Sequence, residues 1–216
     1  MRTIVGQFPS LVRRLPDQLA SIAVQLHALD PEPLAAELEA LDAPMATTAG
    51  FIEHQTLLAL LYERDDLVSA GQRLLASEPP CDRPVITHGD LHPFNLLLTA
   101  DGPVLIDWTV ARVAHPAFTD AFTELMLANP PLPLPRAGAA AFRPVARNLA
   151  RRFLASYRRQ AAPIARVDDE QLAWHRKVHA LRILVELAGW ESAGERPMSH
   201  PWFVIEPVAR RLLMVE

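Results

Sequence analysis

The side chains best suited to chemistry lie within residues 87–108, THGDLHPFNLLLTADGPVLIDW, among short apolar runs. Asn95 follows Asp90 by five positions (95 − 90), and Asp107 follows it by 17 positions (107 − 90). Amide and carboxylate oxygens are ligands that Mg²⁺ prefers, and Mg²⁺ neutralises a phosphoryl group in transfer. A separate carboxylate beside an acceptor hydroxyl can orient it and take its proton. We therefore expect Asn95 and Asp107 to hold Mg²⁺ and Asp90 to act as the catalytic carboxylate.

The flanking sequence predicts strands that bring these side chains together. PVITH, NLLLT and PVLIDW read as short strands, and the turn signal ADG joins the last two as a hairpin. Such a hairpin would carry Asp107 back beside Asn95.

The rest of the chain shows apolar residues at helical spacing. The predicted helices cover residues 16–29, 33–41, 51–77 (as one or two helices), 117–128, 139–160, 168–189 and 202–214. In the segment 51–77, the predicted core stripe is Leu57, Leu58, Leu61, Leu67, Leu74 and Leu75. The predicted fold class is α+β, mostly α. We expect one domain over 1–216, helical over 1–83 and 109–216, with the catalytic loop and hairpin at 84–108.

His88-Gly89-Asp90 and Asn95 have the His-x-Asp-x-x-x-x-Asn spacing of kinase catalytic loops. HGDLHPFN followed by VLIDW resembles the aminoglycoside phosphotransferase and choline kinase group, the small-molecule branch of the protein-kinase-like fold. The resemblance implies the helical C-terminal lobe of that fold and phosphoryl transfer from ATP to a small-molecule hydroxyl, with Mg²⁺ as cofactor. It also implies that His88 and Asp120 support the catalytic loop.

Two residues depart from the family pattern. Phe94 and His115 stand where the family commonly has glycine. We expect Phe94 to narrow or tilt the loop without removing a ligand.

The elements that hold the ATP phosphates are not found before the catalytic loop. Kinases use a Gly-rich loop and a strand lysine there, but this chain has eight glycines without a Gly-x-Gly, and its sole lysine is Lys177. We expect the N-terminal nucleotide-binding lobe to be absent from this sequence. The explanation we favour is a fragment or a gene product whose start was placed too late; the alternatives are a lobe from another polypeptide and a natural remnant.

The composition of the chain argues against several classes of binding partner. The net charge of −4 argues against attraction to nucleic acid or anionic lipid. The single cysteine, Cys81, permits no internal disulfide, and no apolar run reaches the roughly 18 residues of a membrane span. We expect a cytoplasmic protein whose partner is a small-molecule acceptor.

Two other functional readings stay open. The chain could be a non-catalytic remnant, a pseudokinase that binds a small molecule. Less favoured is a metal-dependent hydrolase in which His88, Asp90 and His92 bind Zn²⁺. His175 and His179 share a helical spacing, but the residue after the first is Arg176 rather than the Glu of metalloproteases, so we interpret them as ordinary helix histidines.

The residues that would bind the acceptor are the part of the site that the sequence predicts least well. In the family the late helices line the acceptor pocket, often with acidic or aromatic groups, which makes Glu186 and Trp190 weak candidates for acceptor binding.

One face of the predicted 139–160 helix is rich in arginine and is predicted to be its solvated side: Arg147, Arg151, Arg152, Arg158 and Arg159.

Overall fold

The structure, a computed structural model, describes residues 8–43, 45–99, 102–130, 132, 136–162, 166–195, 200 and 202–214. The helices in these ranges are α1 Phe8–His27, α2 Glu32–Ala40, α3 Thr48–Leu61, α4 Asp65–Ala76, α5 Ala117–Ala128, α6 Arg136–Ala161, α7 Asp169–Ser192 and α8 Trp202–Met214. The strands are β1 Val85–Thr87, β2 Leu96–Thr99, β3 Gly102–Leu105 and β4 Arg112–Ala114, and a short 3₁₀ turn covers Pro93–Asn95. The predicted class, α+β and mostly α, is confirmed.

The helix α5 joins the two hydrophobic cores. Phe118 and Phe122 belong to a core formed with α3, α4, α7 and α8. Ala117 and Ala121, on the opposite side, belong to a second core formed with α1 and α6. Because α5 has no solvated face over its first turns, polar side chains in it must bond to neighbouring backbone or remain unpaired.

The first helix begins earlier than the sequence suggested. The prediction started a helix at Pro16, but α1 runs from Phe8 to His27 with Pro16 inside it. Proline removes one helical hydrogen bond. Leu15 and Leu19, on either side of Pro16, pack in the second core, and this burial offsets the lost bond.

The predicted helical segment 51–77 is two helices, and part of its predicted core stripe is wrong. The chain turns between α3 and α4, where Glu63 has a positive φ of 56°. Leu67 and Leu74 are buried, whereas Leu57 and Leu61 are 65% and 71% exposed. α3 instead buries the side of the helix that carries Phe51, Ile52 and Ala59.

Two antiparallel pairs carry the catalytic segment. The predicted hairpin is present as β2 and β3, with Leu96 opposite Leu105; two residues of its ADG turn, 100 and 101, lie outside the described ranges. β1 pairs with β4, a strand that the sequence did not predict. No helix among the described residues is long and apolar enough to cross a membrane.

Candidate active site

The base of the hairpin places Asn95 next to the segment that carries Asp107. The amide of Ile106 donates to the carbonyl of Asn95 at 3.0 Å, so Asp107 follows directly after a residue bonded to Asn95. Asp107 is exposed and has a φ of +64°. This left-handed conformation is rare for residues with a side chain, although Asp tolerates it better than most. Its Oδ1 accepts from the Thr109 hydroxyl at 2.8 Å, which leaves Oδ2 for another partner.

The side-chain amide of Asn95 is hydrogen bonded to Asp90. Its Nδ2 donates to the carbonyl of Asp90 at 2.9 Å and to the carboxylate Oδ2 of Asp90 at 2.8 Å. Two donations from one nitrogen fix the orientation of the amide plane. The Oδ1 of Asn95 is therefore the atom that remains to bind a cation.

The Asp90 carboxylate is buried yet surrounded by donors. Its Oδ1 accepts from Arg182 Nη1 at 3.1 Å, and the Nε2 of His92 lies 3.5 Å from its Oδ2. Burial by itself raises the pKa of Asp90, but the hydrogen bonds from His92 and Asn95 and the charge of Arg182 outweigh burial and lower the pKa to about 2. Asp90 is thus an anion at neutral pH.

His88 links the catalytic loop to the hairpin. Its Nδ1 accepts from the amide of Asp90 at 3.2 Å, so Nε2 carries the proton and donates to the carbonyl of Ile106 at 3.0 Å. Its ring packs edge-on against Trp108, with 4.8 Å between the ring centroids. The predicted loop-supporting residue therefore contacts both segments of the candidate site.

The zinc-hydrolase reading does not fit this geometry. Both ring nitrogens of His88 are hydrogen bonded, and the Nδ1 of His92 accepts from the amide of Phe94 at 3.2 Å. Among the residues that the structure describes, no group of three or more His, Cys, Asp or Glu side chains could hold a metal ion. A zinc site needs three or four such ligands.

Support for the loop from α5 comes from two threonines. The hydroxyl of Thr119 accepts from the amides of His88 and Gly89 at 3.2 and 3.5 Å. The hydroxyl of Thr123 donates to the carbonyl of Leu91 at 2.7 Å. Thr119 and Thr123 stand four positions apart and so lie on the same face of the helix.

In the part of the chain that the structure describes, Asp120 makes no hydrogen bond to the catalytic loop, and its role in supporting that loop stays a prediction. This residue is fully buried, and neither of its carboxylate oxygens has a hydrogen-bond partner among the described residues. Because Asp120 is one position beyond Thr119, its side chain lies about 100° further around the helix. The family resemblance implied loop support from Asp120; the hydrogen bonds that the structure shows from this turn of α5 to the loop come from Thr119.

Gly89 is required by the close approach of the loop to α5. Its φ is +71°, and a Cβ there would lie 2.6 Å from a ring carbon of Phe118 and 2.9 Å from the carbonyl oxygen of Val110. Both facts exclude a larger residue between His88 and Asp90.

The two departures from the family pattern leave the loop intact. Phe94 is 62% exposed and its ring packs edge-on near His92. His115 is buried, and its Nδ1 accepts from the amide of Ala117 at 3.1 Å in the first turn of α5. Neither side chain displaces Asn95 or Asp90.

Helices α7 and α8 form a bonded series of side chains that reaches Asp90. Arg182 bonds to Asp90 and also donates from Nε to Glu186 Oε1 at 2.9 Å. The other oxygen of Glu186 accepts from the indole N–H of Trp202. Trp190 instead packs against His200 and Phe203. Of the two weak acceptor candidates, the structure therefore joins Glu186 to Asp90 through Arg182 and leaves Trp190 on the neighbouring aromatic group.

His175 and His179 are structural histidines, as interpreted. The Nδ1 of His175 donates to the carbonyl of Gln171 at 2.7 Å, and the Nε2 of His179 donates to the carbonyl of Phe118 at 2.7 Å. Burial lowers the pKa of both. The second bond ties α7 to the first turn of α5.

Sequence reasoning missed Arg182, Thr119 and Thr123. Arg182 is the one charge in the apolar stretch ALRILV of a helix, and a threonine pair at i and i+4 occurs in the apolar helix α5. A polar side chain on a buried helix face needs a partner, which is the signal that could have found them.

The fold is that of a kinase-like lobe, in which one hairpin and the loop before it carry a candidate catalytic carboxylate, an amide and a second carboxylate. The model of the phosphotransferase enzyme family matches residues 2–141, and the chain belongs to that family.

Solved structures with the same architecture are phosphotransferases. A candidate aminoglycoside phosphotransferase from Ralstonia eutropha JMP134 aligns at 18% identity and a TM-score of 0.59, over 92% of this chain and 62% of that one. Macrolide 2'-phosphotransferase type I aligns at 18% identity and a TM-score of 0.48, over 93% of this chain and 59% of its own.

A third structure, spectinomycin phosphotransferase in complex with ADP and spectinomycin, aligns at 15% identity and a TM-score of 0.47, over 94% of this chain and 65% of that one. The chain thus spans less than two thirds of the length of these three proteins. No curated protein matches it.

Replacing Thr119 with Val should loosen the catalytic loop. The change removes the acceptor for two buried amides, which costs about 1–3 kcal/mol in the free energy of unfolding. Urea unfolding measures the loss, and hydrogen exchange at the amides of His88 and Gly89 should accelerate. Thr119→Ser keeps the hydroxyl and should keep slow exchange; unchanged exchange in Thr119→Val would refute this role.

Replacing Asp120 with Asn should change how stability depends on pH. Burial raises the pKa of the Asp120 carboxyl well above its usual value. Above about pH 4 the unfolded chain releases this proton while the folded chain keeps it, so Asp120 lowers stability progressively as pH rises toward the folded pKa. The stability of Asp120→Asn relative to the native chain should therefore increase over that range in urea unfolding.

The matched control for this measurement is Asp82→Asn, at an exposed position. Its stability difference from the native chain should stay level with pH. A level difference for Asp120→Asn as well would mean that the buried carboxyl titrates normally.

Replacing Arg182 with Gln should raise the pKa of Asp90. The charge of Arg182 and its hydrogen bond to Asp90 favour the carboxylate, and burial then acts with less opposition. A carboxyl ¹³C NMR titration measures the shift. Arg182→Lys keeps the charge and should give the smaller shift; an equal pKa in both variants would show that the charge at 182 does not act on Asp90.

Proposed function

We propose that this chain is the catalytic lobe of a phosphotransferase that moves the terminal phosphoryl group of ATP to a hydroxyl of a small molecule. The observation that carries the proposal is the pair of hydrogen bonds from Asn95 Nδ2 to Asp90, together with the backbone bond from Ile106 to Asn95. These bonds join the candidate catalytic carboxylate and both candidate metal ligands in one rigid unit.

The free side-chain oxygens suit Mg²⁺. Asn95 offers Oδ1 and Asp107 offers Oδ2, and both are hard oxygen ligands. Mg²⁺ bound by one or two protein oxygens completes its shell with water and nucleotide phosphates. The ion would neutralise the charge of the phosphates, and the role of the chain's own residues is to hold the two oxygens beside Asp90.

Asp90 is proposed to orient the acceptor hydroxyl. A carboxylate with a pKa of about 2 is a weak base, so its contribution is mainly to accept a hydrogen bond and fix the direction of attack. Phosphoryl transfer depends mostly on positioning and electrostatic stabilisation. Arg182 supports this role as a positioning residue because it holds Oδ1 of Asp90 in place.

The contacts to the ATP phosphates are proposed to come from outside this sequence. The sequence has no Gly-x-Gly, and its one lysine is on α7. Either a longer protein that includes this chain or a second polypeptide would supply them. Positioning and charge stabilisation of this kind are worth orders of magnitude in rate, so we expect the chain by itself to be weakly active or inactive.

A second candidate function is small-molecule binding without catalysis. The observation that favours it is the completeness of the acceptor side: Arg182, Glu186 and Trp202 form a bonded series beside Asp90 within the described residues. Such a site binds its ligand whether or not ATP is held.

Nucleotide-dependent stabilisation tests the proposal. A ligand that binds only the folded protein stabilises it by about 2.7 kcal/mol at 100 times its Kd. In a protein that contains the phosphate-binding elements, Mg²⁺ with ATP should therefore raise the melting temperature when ATP or Mg²⁺ alone does not. Asp107→Asn keeps the bond to Thr109 and tolerates the positive φ, and should lose the Mg²⁺-dependent part of the shift.

Glu37→Gln, on the exposed face of α2, is the matched charge control and should behave as the native chain. In a protein that contains the phosphate-binding elements, Asp90→Asn should abolish turnover with a modest change in ATP affinity. If Mg²⁺ and ATP leave the melting temperature of that longer protein unchanged, the binding function is favoured; retained turnover in Asp90→Asn would refute the role given to Asp90.

A further inference from the structure

A pocket of about 450 Å³ lies between the end of α5, the first half of α6 and α8. Its volume is within the range of sites that bind small organic ligands, about 300–1,000 Å³. Asp90, Asn95 and Asp107 do not line it. The pocket is therefore separate from the site proposed for phosphoryl transfer.

Among the residues that the structure describes, three arginines and no acidic residue line this pocket. Arg143 and Arg147 come from α6 and Arg211 comes from α8. Asn129 and apolar side chains, among them Val204 and Val208, form the rest of the lining. Guanidinium groups from two helices thus share one cavity with an apolar wall.

Other arginines of α6 have acidic partners. Arg152 lies 3.3 Å from a carboxylate oxygen of Asp17, and Arg158 pairs with Asp169. Arg143, Arg147 and Arg211 form no such ion pair with a described residue. Of the arginines predicted to be the solvated side of α6, Arg147, Arg151, Arg158 and Arg159 are exposed and Arg152 is half-buried. Arg147 in addition lines the cavity.

Like charges in one cavity repel each other unless an anion lies between them. Arginine is the residue best suited to hold carboxylate or phosphate groups, because its planar fork can donate two parallel hydrogen bonds. An apolar wall next to such donors favours a ligand with an uncharged body as well as a charged head.

We propose that this pocket binds an amphipathic organic anion, whose carboxylate or phosphate head contacts Arg143, Arg147 and Arg211 and whose apolar body packs on the α8 side of the cavity. The proposal does not depend on nucleotide binding or on catalysis. It adds a second ligand site to the acceptor site beside Asp90.

Four octyl compounds test both halves of the ligand: octanoate, octyl phosphate, octanol and octyltrimethylammonium. Isothermal titration calorimetry on the native chain, without nucleotide, should detect at least one of the two anions. Octanol and octyltrimethylammonium should bind at least about tenfold more weakly, because a charge-assisted hydrogen bond contributes about 1.5–3 kcal/mol and 1.4 kcal/mol is tenfold. Acetate and inorganic phosphate, which lack the apolar body, should also bind more weakly.

Substitutions locate the site. Arg143→Gln, Arg147→Gln and Arg211→Gln should each weaken anion binding by about tenfold. The matched control is Arg151→Gln, which removes the same charge from an exposed position of α6 that does not line the pocket. Its affinity should stay within about twofold of the native value, since exposed charges at a distance are screened by salt.

The outcomes are distinct. Preference for octanoate identifies a carboxylate ligand, and preference for octyl phosphate identifies a phosphate ester; both support the site. Binding of octanol as tight as that of the anions, equal affinity in all four variants, or no anion binding would overturn the proposal. Circular dichroism of each variant confirms that the fold is retained.

Discussion

The side-chain amide of Asn95 is the contact on which the candidate active site depends. One nitrogen bonds to both the backbone and the carboxylate of Asp90, so the loop between them is closed by two hydrogen bonds. The backbone of Asn95 is bonded in turn to Ile106. Loops are ordinarily the most mobile parts of a fold. These hydrogen bonds restrict the conformation of the loop from Asp90 to Asn95 as strongly as strand pairing restricts the hairpin beside it.

Burial of an anion at Asp90 requires compensation from distant parts of the chain. Isolated buried charge is strongly unfavourable, and here Arg182 contacts Asp90 while Glu186 contacts Arg182. The rings of Phe122 and Trp202 lie 5.2 and 5.4 Å from the Arg182 guanidinium, which adds cation–π attraction. Arg182 belongs to α7 and is contacted by Phe122 of α5 and Trp202 of α8. Three helices therefore hold the side chain that bonds to Asp90.

The sequence predicted what is local and missed what depends on packing. The hairpin and the ends of α5 and α8 followed from turn residues and apolar spacing, and the site residues 90, 95 and 107 followed from a motif. β4 was missed because three residues carry no period, and α1 was started late because a proline was read as its beginning. Thr119 was missed because its role depends on which face of α5 meets the loop, a fact that only tertiary packing decides.

There is a physical reason why some residues of the candidate site could be predicted from the sequence and others could not. Asp90, Asn95 and Asp107 are joined by a hairpin, so their spacing along the chain fixes their spacing in space. Arg182 reaches Asp90 across 92 positions, as a contact between α7 and the loop. A side chain at any position on the turn of α7 that faces the loop could contact Asp90, so no spacing rule identifies position 182 from the sequence. Residues held together by one hairpin can therefore be inferred from their spacing in the sequence, whereas a contact between separate helices and loops, such as that of Arg182 with Asp90, cannot.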